Sequence, residues 1–309
     1  MLFSEVLEMW WIGDKLNLRE ITIHKKRMTI DKHILPFFGT TEINAVDDVM
    51  INGFILYEKE QGNRLTGGEL CQNSIIKELG IVRAVFDYAY KKGLIKRNPM
   101  LLIKKLKRVP VKEFEIFSPE EVQKLIKVAR PKWLGDMILL VYNTGLRKCE
   151  CFGLQWSDVN FDEKYLLVCR SVTAAQPKDR FITEPKTKTS KRIIMLDEGT
   201  ISMLKKRYGH RTSDTWVFAD KYGELLSPWY CVKYFRNACY KADMPIRRFY
   251  DLRHTHITEL AEAGIALPII QKRVGHSNIN MTMHYTHIHT NSQNCIVEFI
   301  NSNQVNLLK

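Results

Sequence analysis

The chain has 309 residues, enough for two domains of ordinary size, and its 45% hydrophobic content lets both bury real cores, which excludes a disordered polypeptide. Lysines and arginines number 47 against 34 acids, for a formal charge of +13 and an isoelectric point near 9.3. In a soluble chain such an excess points to a polyanionic partner, nucleic acid first, with plain solubility as the alternative.

The opening MLFSEVLEMWWIGDKLNLREI carries Glu5, Glu8 and Asp14 inside its apolar stretch, so it reads as neither a signal peptide nor a membrane span. Residues 1 to about 107 are predicted to form several amphipathic helices. In IIKELGIVRAVFDYAYKKGLI, for example, Ile75, Leu79, Val82, Val85, Phe86 and Ala89 recur at helical spacing until Gly93 ends the run. Immediately afterwards Lys91, Lys92, Lys96, Arg97, Lys104, Lys105, Lys107 and Arg108 follow one another with no acid between them. One-sided charge at a domain boundary suits either a solvated linker or a strap lying along phosphates.

Residues 108–117 are read as the basic linker. A second domain, 118–290, opens at FSPEEVQKLI, where Ser118 can cap, Pro119 fits the first helical position and Glu121 completes a capping box. Helices are predicted to about 158, strands at 165–172, 180–186 and 191–196 forming one small antiparallel sheet, and helices again from about 200. Residues 291–309 form a tail with an apolar cluster at Ile296, Val297, Phe299 and Ile300. The fold class expected is therefore mainly α with a small antiparallel β-sheet.

Three segments of the second domain carry chemistry. In YNTGLRKCECFGLQWSDV, Gly145 closes one helix and Arg147 starts the next, with Glu150 a turn later on the same face, where a carboxylate can hold the guanidinium. In EPKTKTSKRIIML, strand alternation puts Lys186 and Lys188 on one face of a hairpin. In FYDLRHTHITELAEAGIALPIIQKRVGHSNINMTMHYTHI, Arg253 sits at a helix start, His276 follows a glycine turn after a helix opened by Pro268, and Tyr285 lies downstream.

TGLR with a glutamate three residues on, DLRHT, VGHS and the later tyrosine resemble, in order and spacing, the signature of the tyrosine recombinase family, also called phage integrases. The first domain is similar too: TIHKKRMTIDKHILPFFG resembles the first helix and turn of the family's helical, SAM-like core-binding domain, and GLIKRNP its closing segment. The additional N-terminal module with which many integrases hold distant arm sites is not found in this sequence. The resemblance implies a mixed α+β catalytic domain with Tyr285 as nucleophile on a DNA phosphodiester. Fixed guanidinium groups stabilise charge developing on the non-bridging oxygens, a role for Arg147 and Arg253. The family pattern assigns His276 to the same phosphate as donor and proton relay, and a hairpin lysine to the leaving 5′ oxygen, with Lys186 favoured and Lys188 the alternative. Glu150 then orients Arg147. Where the family usually has histidine before the LR pair, this chain has Tyr250, a neutral hydrogen-bond donor.

The resemblance implies no cofactor, double-stranded DNA bearing a core attachment site as substrate, a homotetramer on synapsed DNA with the tail packing in trans, and a host DNA-bending protein and an excision factor as candidate partners. It also implies integration or excision of a phage or conjugative element. A Xer-like dimer-resolving recombinase, an enzyme like the type IB topoisomerases and a catalytically silent DNA-binding regulator are the alternatives. Consistent with a metal- and ATP-independent reaction, the sequence shows no P-loop, no GxGxxG and no acidic metal cluster. His254, His256, His284, His287 and His289 lack accompanying carboxylates, and most of them are expected at the surface or facing DNA rather than on a metal. The seven cysteines are scattered without CxxC pairs and read as reduced thiols of a cytoplasmic bacterial protein, with no membrane association.

Overall fold

The computed structural model describes residues 1–64, 67–110, 115–174, 176–183, 191–209, 215–220 and 222–283. The chain divides into two units, Met1–Lys112 and Glu113–Lys309. Among the described residues no helix is long and apolar enough to cross a membrane.

The first unit is helical. Helix α1 (Phe3–Asp14) buries Phe3, Val6, Leu7, Trp10 and Trp11, the one-sided stripe that a period of 3.6 produces. Helix α2 (Glu20–Thr29) runs through a π-helical turn at Ile30–Ile34 into a last turn at Leu35–Phe38. Pro36 lies in that last turn, and a proline inside a helix frees the carbonyl four residues earlier. That carbonyl, on Lys32, accepts from Arg64 Nε at 3.2 Å. Helix α3 (Asp48–Gln61) is capped by Asp47, whose side chain accepts from the Met50 amide, and α4 spans Gln72–Lys91. Phe3, Phe38, Phe54 and Phe86, one from each helical segment, meet at ring-centroid distances of 5.0 to 5.7 Å and form the centre of the core.

The basic stretch after α4 is not a free strap along its whole length. Ile95, Met100 and Ile103 are buried in the core of the first unit, while the eight basic side chains all stand exposed. The backbone at Lys107 and Val109 is tied to α4 by Gln72 and Asn73.

In the second unit the Ser118/Glu121 capping box opens α5 (Pro119–Val128), followed by α6 (Lys132–Thr144) and the short α7 (Lys148–Phe152). The strands are β1 (Val159–Asn160), β2 (Tyr165–Val168), β3 (Ser171–Thr173), β4 (Phe181–Thr183) and β5 (Arg192–Met195). Helices α8 (Glu198–Tyr208), α9 (Trp229–Lys241), α10 (Asp251–Glu262), α11 (Leu267–Val274) and α12 (Asn280–Met283) complete it. Its core joins Phe117, Leu125, Ile138, Phe152, Leu166 and Phe235.

The expected mainly helical chain with small antiparallel β-structure is observed, but among the described residues the strands form two sheets rather than one, a three-stranded β1-β2-β5 and a two-stranded β3-β4, all pairs antiparallel. β5 pairs not with β4 but with β2, Val168 opposite Arg192 and Leu166 opposite Ile194. Alternation is the reason, because Arg192 and Ile194 form the buried face of β5 while Ile193 and Met195 are exposed.

Candidate active site

Two left-handed glycines end the helices that frame the site. Gly145 (φ 67°) terminates α6 and Gly275 (φ 66°) terminates α11. Helix C-termini leave carbonyls without amide partners and carry partial negative charge, so they attract cations. Here they hold arginines. Arg253, fully buried on the first turn of α10, donates from Nη1 to the Gly145 carbonyl and from Nη2 to the Val274 carbonyl at 2.7 Å. Arg147, the residue preceding α7, donates from Nη2 to the Gly275 carbonyl at 2.8 Å.

Glu150 collects the remaining donors. One of its oxygens lies 2.8 Å from Arg147 Nη1, the other accepts from the Arg147 amide at 2.8 Å, and Arg192 grips both oxygens at 3.1 and 2.9 Å. Arg192 Nε also donates to the Arg273 carbonyl at 2.7 Å. Burial alone would push the Glu150 carboxyl up, but the hydrogen bonds and charge of Arg192, then the charge of Arg147, hold it down at about 2. Burial, then the neighbouring Arg147, lowers Arg253 to about 10, which still leaves it charged at neutral pH.

His276 follows Gly275, is 3% exposed, and shares a 2.9 Å hydrogen bond between Nδ1 and Thr282 Oγ1. Burial first, then Arg253, Arg147 and Arg192, push it down to about 3, so the free site presents a neutral imidazole. An open cleft of about 780 Å³ reaches this histidine past Lys191, Arg192, Gln271 and Lys272. Among the described residues the arrangement suits an anion: fixed guanidinium groups, one neutral ring and the Glu150 carboxylate already held by two arginines.

A model of the phage integrase family matches residues 115–292, more than half the chain, and the N-terminal SAM-like domain of phage integrases matches residues 2–56. The chain belongs to the phage integrase family. Curated relatives include a XerC-like tyrosine recombinase of Caldanaerobacter subterraneus, 29% identical over 71% of this chain and 63% of its own length, so the chain spans somewhat less than two thirds of that relative. The ICEBs1 integrase of Bacillus subtilis is 25% identical over 94% of this chain and 80% of its own. In fold, this phage integrase family member is similar to the Tn1549 transposon integrase in complex with a circular-intermediate DNA, with a TM-score of 0.77 at 20% identity over 97% of this chain and 99% of that one. It is similar also to a lambda integrase dimer bound to a core site, with a TM-score of 0.70 at 18% identity over 93% and 77%.

Of the residues singled out from the sequence, the structure brings Arg147, Glu150, Arg253 and His276 together. Tyr250 lies one position before α10, 39% exposed, its ring edge-on to His254 at 4.9 Å and close enough to act on the charge of Arg253. Lys186, Lys188 and Tyr285, together with His284, His287, His289 and the tail 291–309, lie outside the described residues. The surface expectation for His254 and His256 is corrected: His254 is half-buried and His256 is 6% exposed, because the α10 face carrying Leu252, Arg253 and His256 turns inward. His256 Nε2 accepts from Arg273 Nε at 3.1 Å, and burial, then the Arg273 charge, pushes the ring down to about 4.

Two members of the site escaped sequence reading. Arg192 and Arg273 sit in basic stretches that resemble solvated ones, yet Arg192 is 7% exposed. The signal that could have found it is its place on the inward face of β5, two residues before the buried Ile194.

Proposed function

We propose that this phage integrase family member is a site-specific DNA recombinase that cleaves and rejoins DNA through a 3′-phosphotyrosine, moving a phage or conjugative element into or out of a bacterial chromosome. The observation that carries the reading is the set of guanidinium groups held on backbone carbonyls around a neutral His276. It suits a phosphodiester, whose non-bridging oxygens gain charge as a nucleophile adds to phosphorus.

The Tyr285 oxygen attacks the phosphorus as its proton passes to the relay through His276, the P–O bond to the 5′ oxygen breaks, and that oxygen takes a proton from Lys186, with Lys188 as the alternative donor. The phosphotyrosine conserves the energy of the broken bond, so a second 5′ hydroxyl attacks it, releases the tyrosine and reseals the strand without ATP or metal. Arg147 and Arg253 are assigned to the phosphate oxygens, each worth roughly 3 to 4 kcal/mol of transition-state stabilisation. His276 donates a hydrogen bond to the same phosphate and relays protons, and Tyr250 adds one neutral hydrogen bond. Glu150 and Arg192 hold Arg147 in place.

The partners proposed are double-stranded core-site DNA and three further copies of the chain, with residues 291–309 packing on a neighbouring protomer. A lambda integrase of similar fold is solved as a tetramer bound to a Holliday junction, which supports this reading. A host bending protein and an excision factor would complete the assembly, in the cytoplasm of a bacterium carrying the element. The domain roles proposed are core-DNA binding for 1–107, linkage for 108–117 and catalysis for 118–290.

The test is the Tyr285→Phe protein on a nicked core site. It should bind the site with unchanged affinity and give no protein–DNA adduct on a denaturing gel, and an adduct would put the nucleophile elsewhere. The XerC-like relative favours a second role, resolution of chromosome dimers; direct repeats flanking the gene would decide for a mobile element.

A further inference from the structure

The first unit contains a cluster that DNA cleavage does not use. His33 comes from the π-helical turn after α2, Glu58 from the last turn of α3 and Glu78 from the second turn of α4. His33 Nδ1 lies 2.8 Å from Glu58 Oε2 and 3.4 Å from Glu78 Oε1, and the three ligand atoms all fall within 4.8 Å of one another. Both carboxylates are interior, Glu58 fully and Glu78 at 4% exposure. We propose that His33, Glu58 and Glu78 form a binding site for one divalent first-row transition metal, zinc in type, which staples the π-turn, α3 and α4 together.

Four observations converge on it. Charge comes first: among the described residues the only guanidinium paired to the cluster is Arg64, whose Nη2 donates to Glu58 Oε1 at 2.8 Å. It leaves Glu58 Oε2 turned toward His33 and the second buried carboxylate without a permanent countercharge. A buried, unpaired carboxylate is costly unless a proton or a metal neutralises it. Satisfaction comes next, because Glu78 Oε2 has no hydrogen-bond partner among the described residues.

The backbone is shaped for the cluster as well. A Cβ on Gly62 would sit 2.3 Å from both the Glu58 carbonyl oxygen and Glu58 Oε2, so the close turn that leaves room for that carboxylate requires glycine. A π-turn is rare and frequently marks a functional position. Here it carries His33, and Arg64 fastens both it, through the Lys32 carbonyl, and Glu58.

The donor set matches the metal class. One imidazole nitrogen and two carboxylate oxygens suit zinc and its neighbours, and tetrahedral bonds of 2.0 to 2.2 Å place ligand atoms about 3.4 Å apart. The His33–Glu78 pair already has that separation, and the His33–Glu58 pair needs to open by about half an ångström to receive the ion. The imidazole is 15% exposed, leaving a solvent side for a water as fourth ligand.

The full chain, stripped with a chelator and dialysed, would be titrated with Co²⁺ and followed by its visible d–d absorption. Wild type should take up one equivalent with the spectrum of a four- or five-coordinate nitrogen–oxygen site, and Zn²⁺ should displace it. Glu78→Gln, isosteric and uncharged, should weaken that binding more than about 100-fold, beyond the scale of losing an outer hydrogen bond. Zn²⁺ should raise the melting midpoint of wild type and leave that of Glu78→Gln unmoved. Absence of the spectrum from wild type overturns the proposal without reference to any variant. So does undiminished binding by Glu78→Gln, which would move the metal to other histidines. A metal-free Glu78→Gln protein more stable than wild type, with no metal uptake by either, would show that a proton neutralises the cluster.

Discussion

Replacing Glu150 by glutamine should cost the second unit about 3 to 5 kcal/mol. The carboxylate receives four donors from two arginines, at 2.8, 2.8, 2.9 and 3.1 Å, and is 6% exposed. Glutamine keeps one acceptor oxygen and turns an amide toward guanidinium nitrogens, so about two charge-assisted bonds are lost at roughly 1.5 to 3 kcal/mol each. The same magnitude follows from protonation: a carboxyl held at about 2 from an ordinary 4.5 favours its charged, folded form by about 3 kcal/mol. Removing one partner of a buried ion pair also strands the other, here Arg192 with 7% exposure. Equilibrium urea unfolding of the full chain, with calorimetry to separate the two units, measures the cost. A loss below about 1 kcal/mol would mean that Arg147 and Arg192 are held by the backbone carbonyls alone and that Glu150 does not organise the site.

Acid should destabilise the second unit before carboxylates titrate. His256 and His276 are depressed to about 4 and about 3 from an ordinary 6.5, so below pH 6.5 the unfolded chain binds protons that the folded chain refuses. Stability then falls with pH, by up to about 2 kcal/mol per histidine at pH 5; a calorimetric midpoint unchanged from pH 7 to 5 would contradict the burial argument. Tyr250→Phe should slow single-turnover cleavage about tenfold, the scale of one neutral hydrogen bond. Its 39% exposure already speaks against a purely packing role, and an unaltered rate would remove Tyr250 from the catalytic set. Reversing the charge of Lys104, Lys105 and Lys107 should weaken DNA binding and lower the log–log salt slope by up to about 3, one phosphate contact each. An unchanged slope would return these exposed lysines to the role of solvated surface.

What could be read from the sequence was what neighbours in the chain determine. The Ser118/Glu121 capping box, the glycine stops at 145 and 275 and the Arg147/Glu150 pairing each span a few residues and have local physical causes. What escaped depends on partners far along the chain. Arg192 reaches Glu150 across 42 residues and the Arg273 carbonyl across 81, and nothing next to it in sequence announces either. The pairing of β5 with β2 was missed for the same reason, since a hairpin reading joins only consecutive strands. His256 was misplaced because α10 interleaves polar types on its inward face, where Arg253, His256 and Thr258 are all buried, and a polar residue read alone defaults to the surface. Polarity on a buried helix face is itself the mark of a site, and it becomes visible only once the face is known.

The backbone anchoring of the two arginines explains why the site can hold so much like charge. Arg147, Arg192, Arg253 and Arg273 are interlinked through Glu150, Gly145, Val274, Gly275 and His256, with Glu150 as the carboxylate that two of them share. Side chains alone would relax such a cluster by moving apart. Here the acceptors are main-chain carbonyls at two helix ends, and the turns that present them tolerate no side chain. A Cβ on Gly145 would lie 2.6 Å from His256 Cδ2, and one on Gly275 would lie 2.9 Å from Arg192 Nη1. Burial lowers Arg253 and Arg273, and the neighbouring guanidinium groups, Arg147 on Arg253 and Arg192 on Arg273, lower them further. Arg253 Nε stays buried without an acceptor among the described residues. On the proposed function, a phosphodiester would relieve both strains together, bringing the missing negative charge and the missing acceptor oxygens. Under that proposal the site would give up stability while empty for affinity that is greatest when the phosphate is most negative, which is the condition for lowering a barrier rather than merely binding a substrate.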